Sequence, residues 1–340
     1  DLHLSIRRAA SDVYKRQFYA YDRKALTERV ALLRQHLPKD IHLHYAMKAN
    51  PMPAVVQHMA RLVDGIDVAS AGEMLVALDT GTDPQHISFA GPAKTSAEVR
   101  RAVAAGITIN LESTRELEAA LAAGEEIGIR PRLAIRVNPT FELKGAGMKM
   151  GGSAKQFGID AELVPDLCRR IDASRADLVG LHIYAGSQCL KAEALGETQA
   201  ETFKLAFQIA EESGCAFETV NIGGGFGIPY FPGDKPLDLA AVGVHLETLM
   251  RGARRRLPGT QIVIELGRYL VAHGGIYVMR IVDRKVSRGQ VFLVTDGGLN
   301  HHLAASGNFG QVIRKNYPVL IGNRADTPPE EEASIVGPLC

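Results

Sequence analysis

Between residues 40 and 270, short apolar runs alternate with longer polar–apolar stretches of helical composition. The intervening stretches, such as Thr114–Gly128 and Ala192–Gly214, are rich in Ala, Leu and Glu, which favour helix. Eight strand–helix units in this span match a (β/α)8 TIM barrel in number and length, with an open doubly wound sheet as the alternative. The eight predicted strands are Ile41–Met47, Gly65–Ser70, Ile87–Gly91, Ile107–Ser113, Arg132–Asn138, Leu178–Gly186, Glu218–Gly225 and Gln261–Gly267.

The pattern changes after residue 270. Gly275–Val286 and Gln290–Thr295 are strand-like, with no long helix between them, and Ser334–Gly337 begins another strand. We therefore expect a barrel over residues 18–270 and a mostly-β domain over 271–340, which this chain leaves incomplete. Residues 1–17 contain an Arg-Arg pair but neither periodicity nor an apolar signal segment, so we expect a non-native or disordered leader.

Composition excludes several classes of partner. The 340 residues include 39 basic and 38 acidic ones, a net charge of +1 that gives no attraction to nucleic acid or an anionic membrane. No apolar run reaches the roughly 18–20 residues of a membrane helix. The four cysteines are scattered and show no metal-binding spacing, which predicts a reduced, cytoplasmic protein without a metal site.

In (β/α)8 barrels the chemistry lies at the carboxyl ends of the strands. Lys48 follows the first predicted strand, where apolar neighbours would desolvate its amine and lower its pKa enough for condensation with an aldehyde. A solvated surface lysine is the alternative. The other polar residues at strand ends are Asp67 and Glu73, Arg136 and Asn138, His182, Ser187 and Gln188, and Glu265 and Arg268.

Three successive glycines, Gly223, Gly224 and Gly225, follow the seventh strand. Their backbone N–H groups can converge on an anion without obstruction by side chains, although a plain loop has the same composition. Arg268, after the eighth strand, adds a positive fork suited to a phosphate. A lysine, a phosphate cradle and a carboxylate in one barrel mouth imply pyridoxal 5'-phosphate (PLP) as cofactor.

The remaining strand-end residues each allow two interpretations. Glu265 suits the cofactor's ring nitrogen, because a protonated pyridinium is the better electron sink, or it forms a buried ion pair with Arg268. His182 lies flat on the cofactor ring or is a hydrogen-bonded core histidine. Arg136 faces the cofactor's phenolic oxygen or pairs with Asp67.

Several of these segments, in the same order, resemble the fold-type III PLP-dependent decarboxylases, the diaminopimelate, ornithine and arginine decarboxylase family. The resemblance runs from about Phe18 to Cys340 and is greatest to the exosortase A system-associated pyridoxal-dependent decarboxylases of exopolysaccharide gene clusters. The segments that carry it are His44–Asn50, Asp67–Ser70, Gly180–His182, Gly186–Gln188, Asn221–Gly227, Glu265–Tyr269 and Gly337–Cys340.

The resemblance implies an alanine-racemase-like barrel plus a β domain, in a head-to-tail homodimer with shared active sites. It assigns Lys48 to the aldimine with PLP, His182 to ring stacking and Glu265 to the pyridine nitrogen. Cys340 would return a proton to the substrate's α-carbon in the partner's site. The phosphate would be held by Ser187, Gly223, Gly224, Gly225 and Arg268.

The chain departs from the family pattern at three places. The usual Glu-Pro-Gly-Arg is Glu265–Arg268 with leucine in the second position, and Asn300–Asn308 replaces the Arg-Pro-Ala-Leu-Tyr segment of diaminopimelate enzymes. The acidic residue expected after Cys340 is missing, so we expect a C-terminally truncated chain. The expected function is decarboxylation of a small amino acid through a Lys48 aldimine; racemisation on the same fold, or PLP binding without turnover, are the alternatives.

Overall fold

The computed structural model describes residues 17–231, 233–302, 318–328 and 330–339. The chain divides into two compact units. The larger comprises Arg23–Ile228 and Lys235–His273, and the smaller comprises Asp1–Asp22, Pro229–Asp234 and Gly274–Cys340. Phe18–Tyr21, with which the sequence analysis begins the barrel, thus falls in the smaller unit.

The strands are β1 (Phe18–Tyr21), β2 (Ile41–Ala46), β3 (Gly65–Val68), β4 (Ile87–Phe89), β5 (Thr108–Leu111), β6 (Arg132–Asn138), β7 (Met148–Lys149), β8 (Ile159–Asp160), β9 (Asp177–Ile183), β10 (Gly186–Ser187), β11 (Thr219–Asn221), β12 (Gln261–Leu266), β13 (Gly275–Val278), β14 (Ile281–Ser287), β15 (Gln290–Thr295) and β16 (Ala333–Val336). The helices are α1 (Arg23–His36), α2 (Pro53–Met59), α3 (Ala71–Leu78), α4 (Ser96–Ala105), α5 (Thr114–Ile127), α6 (Val164–Arg170), α7 (Ala192–Ser213), α8 (Leu239–Arg256) and α9 (Arg268–Val271).

Eight parallel strands of the larger unit form a closed ring in the order β2, β3, β4, β5, β6, β9, β11 and β12. The pairing of β12 with β2 and of β5 with β6 closes the ring. All four residues of β3 and of β5 are buried, as expected of strands covered on both faces. The predicted (β/α)8 barrel is confirmed, and the alternative of an open sheet is wrong.

Local signals in the sequence set the helix boundaries of the barrel. Thr95 and Glu98 form a reciprocal capping box at the start of α4, and the Ser113 hydroxyl accepts a hydrogen bond from Glu116 N–H at the start of α5. Both helices end at a glycine in the left-handed region, Gly106 and Gly128, each with φ of 70°. Helix α5 therefore spans the predicted Thr114–Gly128 stretch almost residue for residue.

The described strands of the smaller unit form two small sheets. Strand β1 pairs antiparallel with β13, and β14, β15 and β16 form a three-stranded sheet. Arg288 and Gly289, both with positive φ, make the two-residue turn between β14 and β15. The predicted C-terminal β domain is confirmed as a separate sheet domain. No helix in the described part of the chain is long and apolar enough to cross a membrane.

Candidate active site

The carboxyl ends of the barrel strands bring most of the predicted residues into one interior. Strand register places Arg136 of β6 and Asn221 of β11 on either side of His182 of β9, and Glu265 of β12 beside His44 of β2. Register neighbours in a parallel sheet, and residues two apart along one strand, point to the same face, so these side chains all face the barrel interior. All five are buried.

Glu265 is a buried carboxylate with polar partners on two neighbouring strands. Its Oε2 lies 2.9 Å from His182 Nε2 and accepts a hydrogen bond of 3.0 Å from Asn221 Nδ2. Burial opposes ionisation, but the neighbouring His182, Lys48 and Arg136 hold the pKa of the Glu265 carboxyl well below its usual range. His182 and Asn221 are the polar partners of Glu265, so the Glu265 carboxylate is paired from strands β9 and β11.

The His182 imidazole is 2% exposed. Its Nε2 approaches Glu265 without the alignment of a hydrogen bond, and among the described residues neither ring nitrogen has a hydrogen-bond partner. Its contact with the Glu265 carboxylate leaves the alternative of a satisfied core histidine open. A buried aromatic ring in a barrel mouth is also suited to contact with a planar ligand.

Lys48 lies where the sequence analysis puts it, in a single 3-10 turn, Met47–Ala49, directly after β2. The residue is exposed, so the prediction that apolar neighbours desolvate its amine is wrong for this structure. Its charge nevertheless acts on Glu265. The lysine and the carboxylate thus belong to the same barrel mouth.

Asp67 belongs to a polar chain that crosses four neighbouring strands. Its Oδ1 accepts hydrogen bonds from Ser88 Oγ at 2.7 Å and from His44 Nδ1 at 3.0 Å, and Asn110 Nδ2 donates to Ser88 Oγ at 3.1 Å. Burial disfavours a charged His44, but Asp67 outweighs it and raises the pKa of His44. Asp67 Oδ2 is buried without a partner in the described structure, which leaves one acceptor for a further group.

Arg136 pairs with Glu112 and not with Asp67, so that alternative is wrong. Arg136 Nη1 donates to Glu112 Oε1 at 2.8 Å, and its guanidinium carbon lies 4.8 Å from the centre of the Phe157 ring. Glu112 immediately follows β5, with its side chain 1% exposed. The sequence analysis missed this residue, although the rule that chemistry lies at strand ends, applied to the predicted strand Ile107–Ser113, points to it.

Gly224, the middle residue of the glycine triplet, packs tightly against β12. A Cβ on Gly224 would overlap the carbonyl oxygen of Glu265, and Gly223 and Gly225 have φ of 72° and 81°. The N–H of Gly223 already donates to Asn221 Oδ1 at 2.8 Å. Close approach of two strands therefore explains the need for glycine at 224, whatever the other amides bind.

Ser187 and Arg268, the other residues predicted to bind phosphate, both belong to described elements. Ser187 is half-buried in β10, which pairs with β7, and Arg268 begins α9 after β12. Cys340, the predicted proton donor, and residues 303–308 of the predicted substrate segment lie outside the described residues.

The residues of this mouth fit the cofactor that the sequence analysis predicts. A carboxylate of lowered pKa, an imidazole without hydrogen bonds, an orphaned buried aspartate oxygen and a lysine lie around one barrel interior. These groups can pair with a ring nitrogen, contact a ring face and bind an aldehyde carbon. Fold and site together define a PLP-dependent enzyme of the (β/α)8 class.

Comparison with known proteins gives the family. Residues 23–272 match the family model described as "Pyridoxal-dependent decarboxylase, pyridoxal binding domain". The chain therefore belongs to the pyridoxal-dependent decarboxylases, which use PLP and are carboxy-lyases. The predicted family, activity class and cofactor are confirmed.

Three relatives illustrate the match. L-glutamyl-(BtrI acyl-carrier protein) decarboxylase of Niallia circulans is 36% identical, over 96% of this chain and 78% of its own. Diaminopimelate decarboxylase of Aquifex aeolicus is 30% identical, over 95% and 74%. The crystal structure of diaminopimelate decarboxylase from Helicobacter pylori complexed with L-lysine has a TM-score of 0.84 at 25% identity, covering 98% of this chain and 82% of that one.

Proposed function

We propose that this chain decarboxylates an amino acid with Lys48 as the amine that holds PLP. The observation that carries the proposal is the buried Glu265 carboxylate, kept ionised in the same barrel mouth as Lys48 and the unsatisfied ring of His182. A carboxylate of lowered pKa is the group that retains a proton on a pyridine nitrogen.

The residues divide the work as follows. PLP, when bound, supplies an electron sink for the pair left on the α-carbon as carbon dioxide departs. Glu265 pairs with the protonated ring nitrogen, and Asn221 and His182 keep that carboxylate in place. The His182 ring contacts the cofactor face. Ser187, Gly223, Gly224, Gly225 and Arg268 hold the phosphate.

Arg136 and Asp67 would add further polar contacts to the cofactor, Arg136 at its phenolic oxygen. Lys48 would hold PLP through its Nζ and would move protons at that atom when an amino acid is bound. Cys340 returns the proton to the α-carbon in the partner's site. This step requires the head-to-tail homodimer, which light scattering of the PLP-loaded protein tests.

The substrate is an amino acid that keeps its amino and carboxyl groups free for the cofactor. Candidates are diaminopimelate, ornithine, lysine and arginine. A modified amino acid is a further candidate, and it would fit a role of the enzyme in exopolysaccharide-linked metabolism in the cytoplasm. The 36% identity to a decarboxylase of a carrier-protein-bound L-glutamyl group adds that class to the panel. Carbon dioxide release from each candidate decides between them.

Racemisation on the same fold is the second candidate reaction. It needs an acid or base on each face of the cofactor, and the cysteine at 340 supports decarboxylation instead. Release of carbon dioxide without any D-amino acid supports the proposal. Formation of the D-enantiomer without carbon dioxide contradicts it, and PLP binding with neither product indicates the non-catalytic alternative.

Reduction of the PLP-loaded protein with borohydride tests the role of Lys48 directly. We expect a pyridoxyl group on the peptide that contains Lys48, and no turnover by Lys48→Ala. Lys144→Ala is the matched control, because Lys144 is an exposed lysine in an ion pair with Glu197. Labelling at another lysine, or an active Lys48→Ala enzyme, would contradict the assignment.

A further inference from the structure

A second group of buried charges lies behind Arg136, on the side of the barrel mouth away from Glu265. It consists of two cations and two carboxylates, Arg136 and Lys94 with Glu112 and Glu116. The side chains are between 1% and 7% exposed. Buried charges are costly unless each is paired and hydrogen-bonded, so this arrangement demands a reason.

Glu112 is the centre of the group. Its Oε1 accepts hydrogen bonds from Arg136 Nη1 at 2.8 Å and from Gly91 N–H at 2.6 Å, and its Oε2 accepts one from Gly158 N–H at 3.1 Å. Gly91 follows β4, Glu112 follows β5, and Gly158 precedes β8, which pairs with β6. One carboxylate therefore connects the mouth-side loops of three neighbouring strands to one arginine.

Lys94 and Glu116 fix Glu112 from behind. Glu116 Oε2 accepts from Glu112 N–H at 2.8 Å and from Lys94 Nζ at 2.9 Å. Lys94 Nζ also donates to the carbonyl oxygens of Gly91 and Asn110, at 2.7 and 2.8 Å. The backbone that carries Glu112 is thus tied on both sides, and its carboxylate has little freedom to turn away from Arg136.

The Arg136 guanidinium is in turn confined between the Glu112 carboxylate and the Phe157 ring. A planar guanidinium held at one edge and one face presents its remaining N–H groups in a fixed direction. Its charge acts on Glu265 across the mouth. An arginine held in this way is preorganised to meet an anionic oxygen of a ligand at little entropic cost.

We propose that Glu112 is the positioning residue of the cofactor site: it sets the direction of Arg136, and thereby the affinity for PLP. The inference rests on the proposed function, since it takes Arg136 to contact the cofactor. Glu112 itself touches no ligand and acts through Arg136. The role is distinct from that of Glu265, which faces the cofactor's ring nitrogen.

Titration of the PLP-free full chain with PLP, followed by absorbance, tests the proposal. Glu112→Gln keeps the size of the side chain and an acceptor but loses the charge that holds Arg136. We expect its Kd for PLP to rise about tenfold, the range seen when residues that orient a ligand-binding group are removed. Glu112→Asp, which keeps the charge, should bind PLP more tightly than Glu112→Gln.

The control is Glu126→Gln, which removes a carboxylate from an exposed ion pair with Arg100 and should leave the Kd unchanged. A double-mutant cycle separates positioning from general loss of structure. In an Arg136→Gln background, Glu112→Gln should add less than about a twofold change in Kd, because it has no arginine left to direct.

Two results would overturn the inference: a wild-type Kd in Glu112→Gln with only a lower melting temperature, or an undiminished effect in the Arg136→Gln background. If Glu112→Gln does not fold, Glu112→Asp takes its place in the double-mutant cycle. The change that Glu112→Asp causes in the Kd for PLP must then disappear in the Arg136→Gln background. Failure of the wild-type chain to bind PLP would remove the proposed function as well, whereas normal binding by the Glu112 variants removes this inference alone.

Discussion

The ion pair between Lys94 and Glu116 offers the sharpest test of the fold's energetics. Both side chains are 1% exposed, and Nζ and Oε2 are 2.9 Å apart. Glu116→Gln keeps the shape of the side chain and a hydrogen-bond acceptor but removes the carboxylate that is ion-paired with Lys94. Burial already lowers the pKa of Lys94, and Glu116 is the main charge that opposes this effect.

Removing one partner of a buried pair costs about 3–5 kcal/mol, a large part of the roughly 5–15 kcal/mol that stabilises a typical protein. At about 2–4 °C per kcal/mol for a unit of this size, the melting temperature should fall by about 10 °C. Urea unfolding followed by circular dichroism measures the loss as a lower midpoint with an unchanged slope.

Glu126→Gln provides the matched control. Glu126 belongs to α5, like Glu116, and forms an ion pair of 2.8 Å with Arg100 of α4. In this pair, however, the side chain of Glu126 is 61% exposed and that of Arg100 is 50% exposed. Exposed pairs contribute little, so this variant should unfold like wild type. The reasoning is refuted if Glu116→Gln loses less than about 1 kcal/mol, or if both variants lose the same amount.

Two further predictions concern the barrel interior. Asp67 raises the pKa of His44 above its unfolded value, so the contribution of this pair to stability is fully present below about pH 6.5 and disappears as the pH rises through the folded pKa; the stability difference between wild type and His44→Gln should shrink as the pH rises above about 6.5, and a constant difference would contradict it. Gly224→Ala should cost about 1–3 kcal/mol or abolish folding, because its Cβ overlaps the Glu265 carbonyl oxygen. Gly72→Ala, in a helix with only the Ser70 hydroxyl at 3.9 Å, should instead stabilise by up to about 1 kcal/mol, and equal effects of the two would refute the steric argument.

The strands of the barrel and their order could be predicted from the sequence because buried parallel strands are short, apolar and separated by helices. Arg132–Asn138 and Gln290–Thr295 were predicted to the residue. The predicted strand Gly275–Val286 is in fact two, β13 and β14. A continuous β-branched run does not reveal where the chain changes sheet.

The partners of charged residues could not be predicted, because they depend on register between strands that are distant in sequence. Leu111 pairs with Ile135, so the next step along both strands brings Glu112 beside Arg136. Asp67, the partner considered for Arg136, lies three strands away around the ring. Likewise Lys48 is exposed, although its apolar neighbours in sequence suggest burial, because the chain leaves the strand in a 3-10 turn.

The pairing of β1 with β13 has a consequence for biosynthesis. Phe18 lies opposite Val278, so the ribosome must produce the whole barrel segment before Phe18–Tyr21 meets its partner strand. Chains fold from the N-terminus as they emerge, and an unpaired strand edge recruits other chains. Fragments that stop before residue 275 would carry Phe18–Tyr21 as such an edge. Expression trials of the barrel alone should therefore begin after Asp22, where the backbone N–H bonds to the Gly274 carbonyl oxygen at 2.7 Å.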